Sequence, residues 1–153
     1  MKPKLLVSAC LLGTPCRYDG KSKKNEAVCA LAERFELIPV CPEVLGGLPT
    51  PRTPSERRGA CVMRKHGRDV TAEYRRGAEC ALETARREGV LAAVLKERSP
   101  SCGSGEIYDG TFTGALTAGD GVTAELLKAN GITVYGESEQ SLTELLCSVS
   151  HST

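Results

Sequence analysis

Eight cysteines are spread along 153 residues, and no two of them form a C-x-x-C pair. A cysteine can be a buried hydrophobe, a disulfide partner, a nucleophile or a soft metal ligand, and its setting separates these roles. Cys10 and Cys16 lie in LLVSACLLGTPCRYDG (residues 5–20), Cys41 in PVCPE and Cys102 in KERSPSCG. If these side chains converge, their thiolates repel one another, and only a cation such as zinc or iron holds them together. A structural zinc site draws paired ligands from tight knuckles, which are absent here. Single cysteines from separate loops suit a cluster in a wider pocket, with three ligands leaving one corner open to substrate. The compact cysteine spacing of a ferredoxin is also missing.

Two further roles depend on the surroundings. Ser8 and Ala9 before Cys10 mimic a lipoprotein processing site, but Leu5 to Ala9 is too short for a signal-peptide core. Lipidation is therefore set aside and a cytoplasmic location expected, where disulfides are disfavoured. Cys102 as a nucleophile would need a base nearby, and the two histidines, His66 and His151, fall in a turn and in the tail. Cys29, Cys61, Cys80 and Cys147 sit in or near helical stretches, where a buried inert thiol is expected. For Cys10, Cys41 and Cys102, burial and ligation remain open on position alone.

The elements that must carry these residues alternate. Lys4–Ala9 and Phe35–Val40 read as buried strands around a helix at Asn25–Arg34, the length of a βαβ unit. Pro42, Pro49, Pro51 and Pro54 then predict an extended loop, and Val62–Val70 a small excursion turning at His66 and Gly67. Thr71 is placed to cap a helix at Ala72–Glu88 that Gly89 closes. Leu91–Leu95 is a third strand, and the glycine-rich stretch 99–121 reads as turns and loop without a phosphate-loop pattern. A helix at Val122–Asn130, a strand at Ile132–Tyr135 and a helix at Gln140–Cys147 complete the series. This is an open, mostly parallel α/β sheet flanked by helices, a single domain over residues 1–147 with a short flexible tail at 148–153. Cys10 follows the first strand, Cys41 the second and Cys102 the third, so all three approach the carboxyl edge of the sheet, where such folds bind ligands.

Composition narrows the class. With 41% apolar and 25% charged residues, the chain has the balance of a globular protein and is not a disordered segment. No stretch approaches the roughly 20 apolar residues of a membrane span, so no membrane partner is expected. Twenty basic against nineteen acidic residues leave a charge of +1, which argues against a nucleic-acid partner.

SACLLGTPCRYDG, PVCPE and KERSPSCG, together with LPTPRTPSE, GRDVTAEYRRGA and GDGVTAELLKANGI, occur in an order that resembles the thiouracil desulfurase family. The resemblance runs nearly the whole chain, to about Gly136. It implies a Rossmann-like domain with a 4Fe-4S cluster held by Cys10, Cys41 and Cys102, supplied by iron-sulfur assembly machinery. The free iron would take the sulfur of a thiolated pyrimidine, base or nucleotide such as 4-thio-UMP, and release it as sulfide. Glu43 and Ser101 fall on the family's catalytic acid and serine. Cys16 belongs to the first motif, as ligand, neighbouring thiol or structural residue. In the loops around the expected pocket, Arg17, Tyr18, Arg52, Lys96 and Ser104 could bind substrate, by holding a phosphate or stacking on a pyrimidine. The alternatives are a non-catalytic zinc or iron-sulfur binding module and a Cys102-nucleophile enzyme.

Overall fold

Leu5, Leu6 and Val7 are all completely buried, which requires the first strand to be covered on both faces. A computed structural model describes residues 2–150 and shows how. The elements in order are β1 (Lys4–Ser8), α1 (Glu26–Ala30), β2 (Glu36–Val40) and α2 (Pro42–Leu45). Next come β3 (Ser55–Arg58), β4 (Cys61–Arg64), α3 (Thr71–Glu88) and β5 (Ala92–Val94). The chain finishes with β6 (Glu106–Tyr108), β7 (Leu116–Ala118), α4 (Val122–Ala129), β8 (Val134–Tyr135) and α5 (Glu139–Ser150).

The central sheet is wholly parallel, in the order β2-β1-β5-β8. Side chains alternate across it. Leu5, Val7, Ala92 and Val94 pack with Val28 of α1 and with Leu142 and Leu145 of α5. Leu6, Ala93 and Leu95 pack on the opposite face with Ala81 and Ala85 of α3 and Leu127 of α4. Burying each of these leucines contributes roughly 2 kcal/mol. From β1 the chain steps outward to β2, then crosses back to β5 on the other side, so the strand order reverses at β1. A crevice opens at that point beyond the carboxyl ends of the strands.

Helix ends follow local chemistry. Asn25 caps α1, its Oδ1 accepting the Val28 N–H at 3.0 Å. Asn25→Ala is expected to cost about 1 kcal/mol, read as a Tm lower by roughly 2–4 °C. Gly89 closes α3 in the left-handed region, at φ +66°.

Several sequence expectations change in the folded chain. The proline-rich passage contains regular structure: Pro42 starts α2, where a missing N–H costs nothing. Beyond Pro54, β3 pairs antiparallel with β4, so the excursion at Val62–Val70 contributes one arm of a hairpin. The glycine-rich stretch also holds a short hairpin, β6 with β7. Thr71 does not cap α3 with its side chain; its hydroxyl accepts the Val62 N–H at 2.9 Å and ties β4 to the helix. The last helix continues through Ser150, three residues into the expected tail, and 151–153 lie outside the described residues.

Candidate functional site

Cys10, Cys41 and Cys102 all line one cavity of about 480 Å³ at the crevice, and Cys16 joins them. Cys10 lies in a single 3-10 turn, Ala9–Leu12, directly beyond β1. Gly13 ends that turn at φ +103°, and its N–H bonds back to the Cys10 carbonyl at 3.3 Å. Cys41 occupies the joint between β2 and α2. That joint is fixed by a close approach of α2 to α3: a Cβ on Gly77 would stand 1.9 Å from the Pro42 carbonyl oxygen, and one on Gly46 would stand 2.0 Å from that of Glu73. Cys102 sits in a turn beyond β5, where the Ser99 hydroxyl accepts the N–H groups of Ser101 and Cys102, both at 3.1 Å.

Without a cation, the Cys16, Cys41 and Cys102 thiols are held neutral. Burial pushes the Cys102 thiol up to about 12, against the opposing hydrogen bonds from Ser8 and Ser101. A hydrogen bond with Cys16 and burial raise Cys41 further, and a hydrogen bond with Cys10 raises Cys16. A metal that takes these sulfurs must displace their protons, so loading releases acid. The described residues hold no group of three or more His, Cys, Asp or Glu side chains placed to chelate a single metal ion. The donor set instead fits a group large enough to meet cysteines standing on three separate loops around a cavity.

Glu43 also lines the cavity, and both of its oxygens are engaged. Its Oε1 accepts the Tyr74 hydroxyl at 2.7 Å, and its Oε2 is paired with the Arg52 guanidinium. Arg52 donates further to the carbonyls of Cys16 at 3.0 Å and Pro49 at 3.1 Å, and its side chain is 3% exposed. It braces the walls and is not free to receive a phosphate. Lys96, also on the lining, is held by Glu137 at 3.2 Å. Arg17 and Tyr18 stand at the rim, with the guanidinium 5.7 Å from the ring centroid.

Ser101 and Ser104 do not line the cavity. Ser101 is 1% exposed, and its hydroxyl shares a 2.8 Å hydrogen bond with Thr123 at the start of α4. That geometry holds the Cys102 turn against α4. The remaining cysteines are also corrected: Cys61 and Cys147 are exposed and Cys29 and Cys80 half-buried, because β4 is a hairpin arm and the helical positions face outward or sideways. None of the four lines the cavity. As a nucleophile Cys102 is poorly placed, with a buried, protonated thiol and His66 exposed on the turn after β4.

Lining residues that the sequence did not mark include Tyr74, Glu56, Arg98 and Tyr108. Glu56 accepts the N–H groups of Gly110 at 3.0 Å and Phe112 at 3.1 Å, pinning the β6–β7 loop beside the cavity. Arg98 shares KERSPSCG with Cys102, while Glu56 and Tyr74 stand in LPTPRTPSE and GRDVTAEYRRGA, and those motif pieces were the available signal.

The model of the 2-thiouracil desulfurase family matches residues 5–139. The chain belongs to this family. Among relatives of this desulfurase, the uncharacterized protein YbbK of Bacillus subtilis (strain 168) is 43% identical over 145 residues, covering 88% of this chain and 96% of YbbK. A solved structure, the 4Fe-4S-dependent thiouracil desulfidase TudS, is 51% identical with a TM-score of 0.90, covering 97% of this chain and 99% of TudS. The parallel α/β architecture of the desulfurase is thus shared with TudS across the whole domain. No helix among the described residues of this family member is long and apolar enough to cross a membrane.

Proposed function

We propose that this chain is an iron-sulfur enzyme that hydrolyses the C–S bond of thiolated pyrimidines, with Cys10, Cys41 and Cys102 holding a 4Fe-4S cluster. The reaction balances without electrons: thiocarbonyl and water give carbonyl and hydrogen sulfide. The observation that carries the reading is the meeting of those three cysteines and Glu43 on one cavity at the switch point of the sheet. Likeness to TudS supports the cofactor and the substrate class.

When bound, the cluster supplies a Lewis-acid iron for the soft thiocarbonyl sulfur, which makes the ring carbon electrophilic. Glu43 is the base that takes a proton from the attacking water. Two of the roughly four lone-pair directions of its carboxylate are used by Tyr74 and Arg52, and the rest are left for that water. Tyr18, 42% exposed at the rim, offers a face on which a pyrimidine ring can stack. Arg17 and Arg98 meet carboxylates only at 3.6 and 3.5 Å, so they are the cations for the phosphate of a thiolated nucleotide such as 4-thio-UMP. Iron-sulfur assembly machinery would deliver the cluster to this open crevice.

The test is anaerobic reconstitution with iron and sulfide, then sulfide release from 2-thiouracil and from 4-thio-UMP. Glu43→Gln is expected to keep iron content and visible absorbance while turnover falls roughly 100- to 10,000-fold. Normal turnover by the iron-loaded variant removes Glu43 from the role of base. A colourless or inert wild-type protein would instead favour a non-catalytic binding module.

A further inference from the structure

We propose that Tyr74 and Arg52 are positioning residues for this reaction, clamping the Glu43 carboxylate in a single orientation on the cavity wall. The inference rests on the reading of Glu43 as the base. A glutamate has several rotatable bonds, and a base free to sample them would spend little time aligned with one water. Here Oε1 is fixed by the Tyr74 hydroxyl at 2.7 Å and Oε2 by Arg52, from opposite partners on different parts of the chain.

The clamp is itself immobile. Tyr74 is 2% exposed and projects from the long helix α3 into a cluster with Leu48, Val62 and Val70. Ser55 of the β3–β4 hairpin lines the same cavity wall. Arg52 cannot swing away, because it also holds the carbonyls of Cys16 and Pro49 and the Thr50 hydroxyl. A buried guanidinium needs an anion beside it, so Arg52 and the Glu43 carboxylate hold each other in place. Rigid elements therefore orient the carboxylate before substrate enters.

Tyr74→Phe keeps the buried ring and deletes the hydroxyl alone. In the reconstituted enzyme it is expected to keep iron content and absorbance, to lower Tm by only about 3–6 °C, to lower kcat about tenfold and to leave KM within about twofold, as loss of one hydrogen bond to a charged group predicts. In a Glu43→Gln background the same change is expected to have almost no further effect, since it acts through that carboxylate. Unchanged kcat in Tyr74→Phe overturns the proposal. Loss of iron by Tyr74→Phe, or an equal tenfold loss in both backgrounds, overturns it as well, by assigning the hydroxyl to packing or to a separate step. Full turnover by Glu43→Gln would remove the underlying base, a result distinct from any of these.

Discussion

Alanine at Cys10, Cys41 or Cys102 is expected to yield a folded chain that takes up no iron and releases sulfide only at background. These three sulfurs reach the cavity from the turn after β1, the joint after β2 and the turn after β5. No neighbouring cysteine on the same loop can substitute for Cys41 or Cys102. Removing partners one step further from a metal already costs 10- to 100-fold in affinity, so a lost ligand should cost more than about 100-fold. Iron per chain after anaerobic reconstitution, with the visible spectrum, measures this directly. Cys61→Ala and Cys147→Ala, at exposed positions outside the cavity, should behave as wild type. Cys16→Ala should keep its iron, because Arg52 grips the Cys16 backbone carbonyl and that contact survives loss of the thiol. Failure of Cys16→Ala to hold iron would instead make it a ligand.

Gly77→Ala should damage the site without touching it. Its added Cβ would meet the Pro42 carbonyl oxygen at 1.9 Å, far inside contact distance, so α2 or α3 must move. Overpacking of this kind costs about 3 kcal/mol, which for a chain of this length lowers Tm by roughly 6–12 °C. Because Pro42 lies between Cys41 and Glu43, the displacement also reaches a proposed ligand and the proposed base. Thermal unfolding and iron uptake should therefore fall together, whereas the conservative Tyr74→Phe change leaves iron uptake intact. A Gly77→Ala chain with wild-type Tm and iron content would show that the α2–α3 contact is not what holds Cys41.

Much of the frame was legible from local signals. Fully apolar strands at Leu5–Val7 and Ala92–Leu95, separated by helices with glycine stops, specify a parallel sheet covered on both faces. The strand-end position of Cys10, Cys41 and Cys102 follows from the same pattern. Prolines were misleading at Pro42 and Pro54, because a proline that breaks a helix interior is well suited to its first turn or to the start of a hairpin arm.

The state of the charged side chains was not legible. Arg52 and Lys96 have the composition of substrate-binding cations, yet Glu43 and Glu137 take them up. Ser101 has the composition of a proton donor, and its hydroxyl is shared with Thr123, twenty-two residues away. Tyr74 comes from α3, thirty-one residues beyond Glu43, and no spacing rule connects them.

By itself, then, the sequence determined the alternating elements, the strand-end cysteines and the ordered motifs that mark the family. Those features depend on hydrophobic period and turn chemistry, which are properties of neighbouring residues. Tertiary structure alone decided which polar groups are consumed by one another and which remain available in the cavity. That outcome depends on contacts between distant segments, and on glycines such as Gly77 that let two helices approach closely enough to make them.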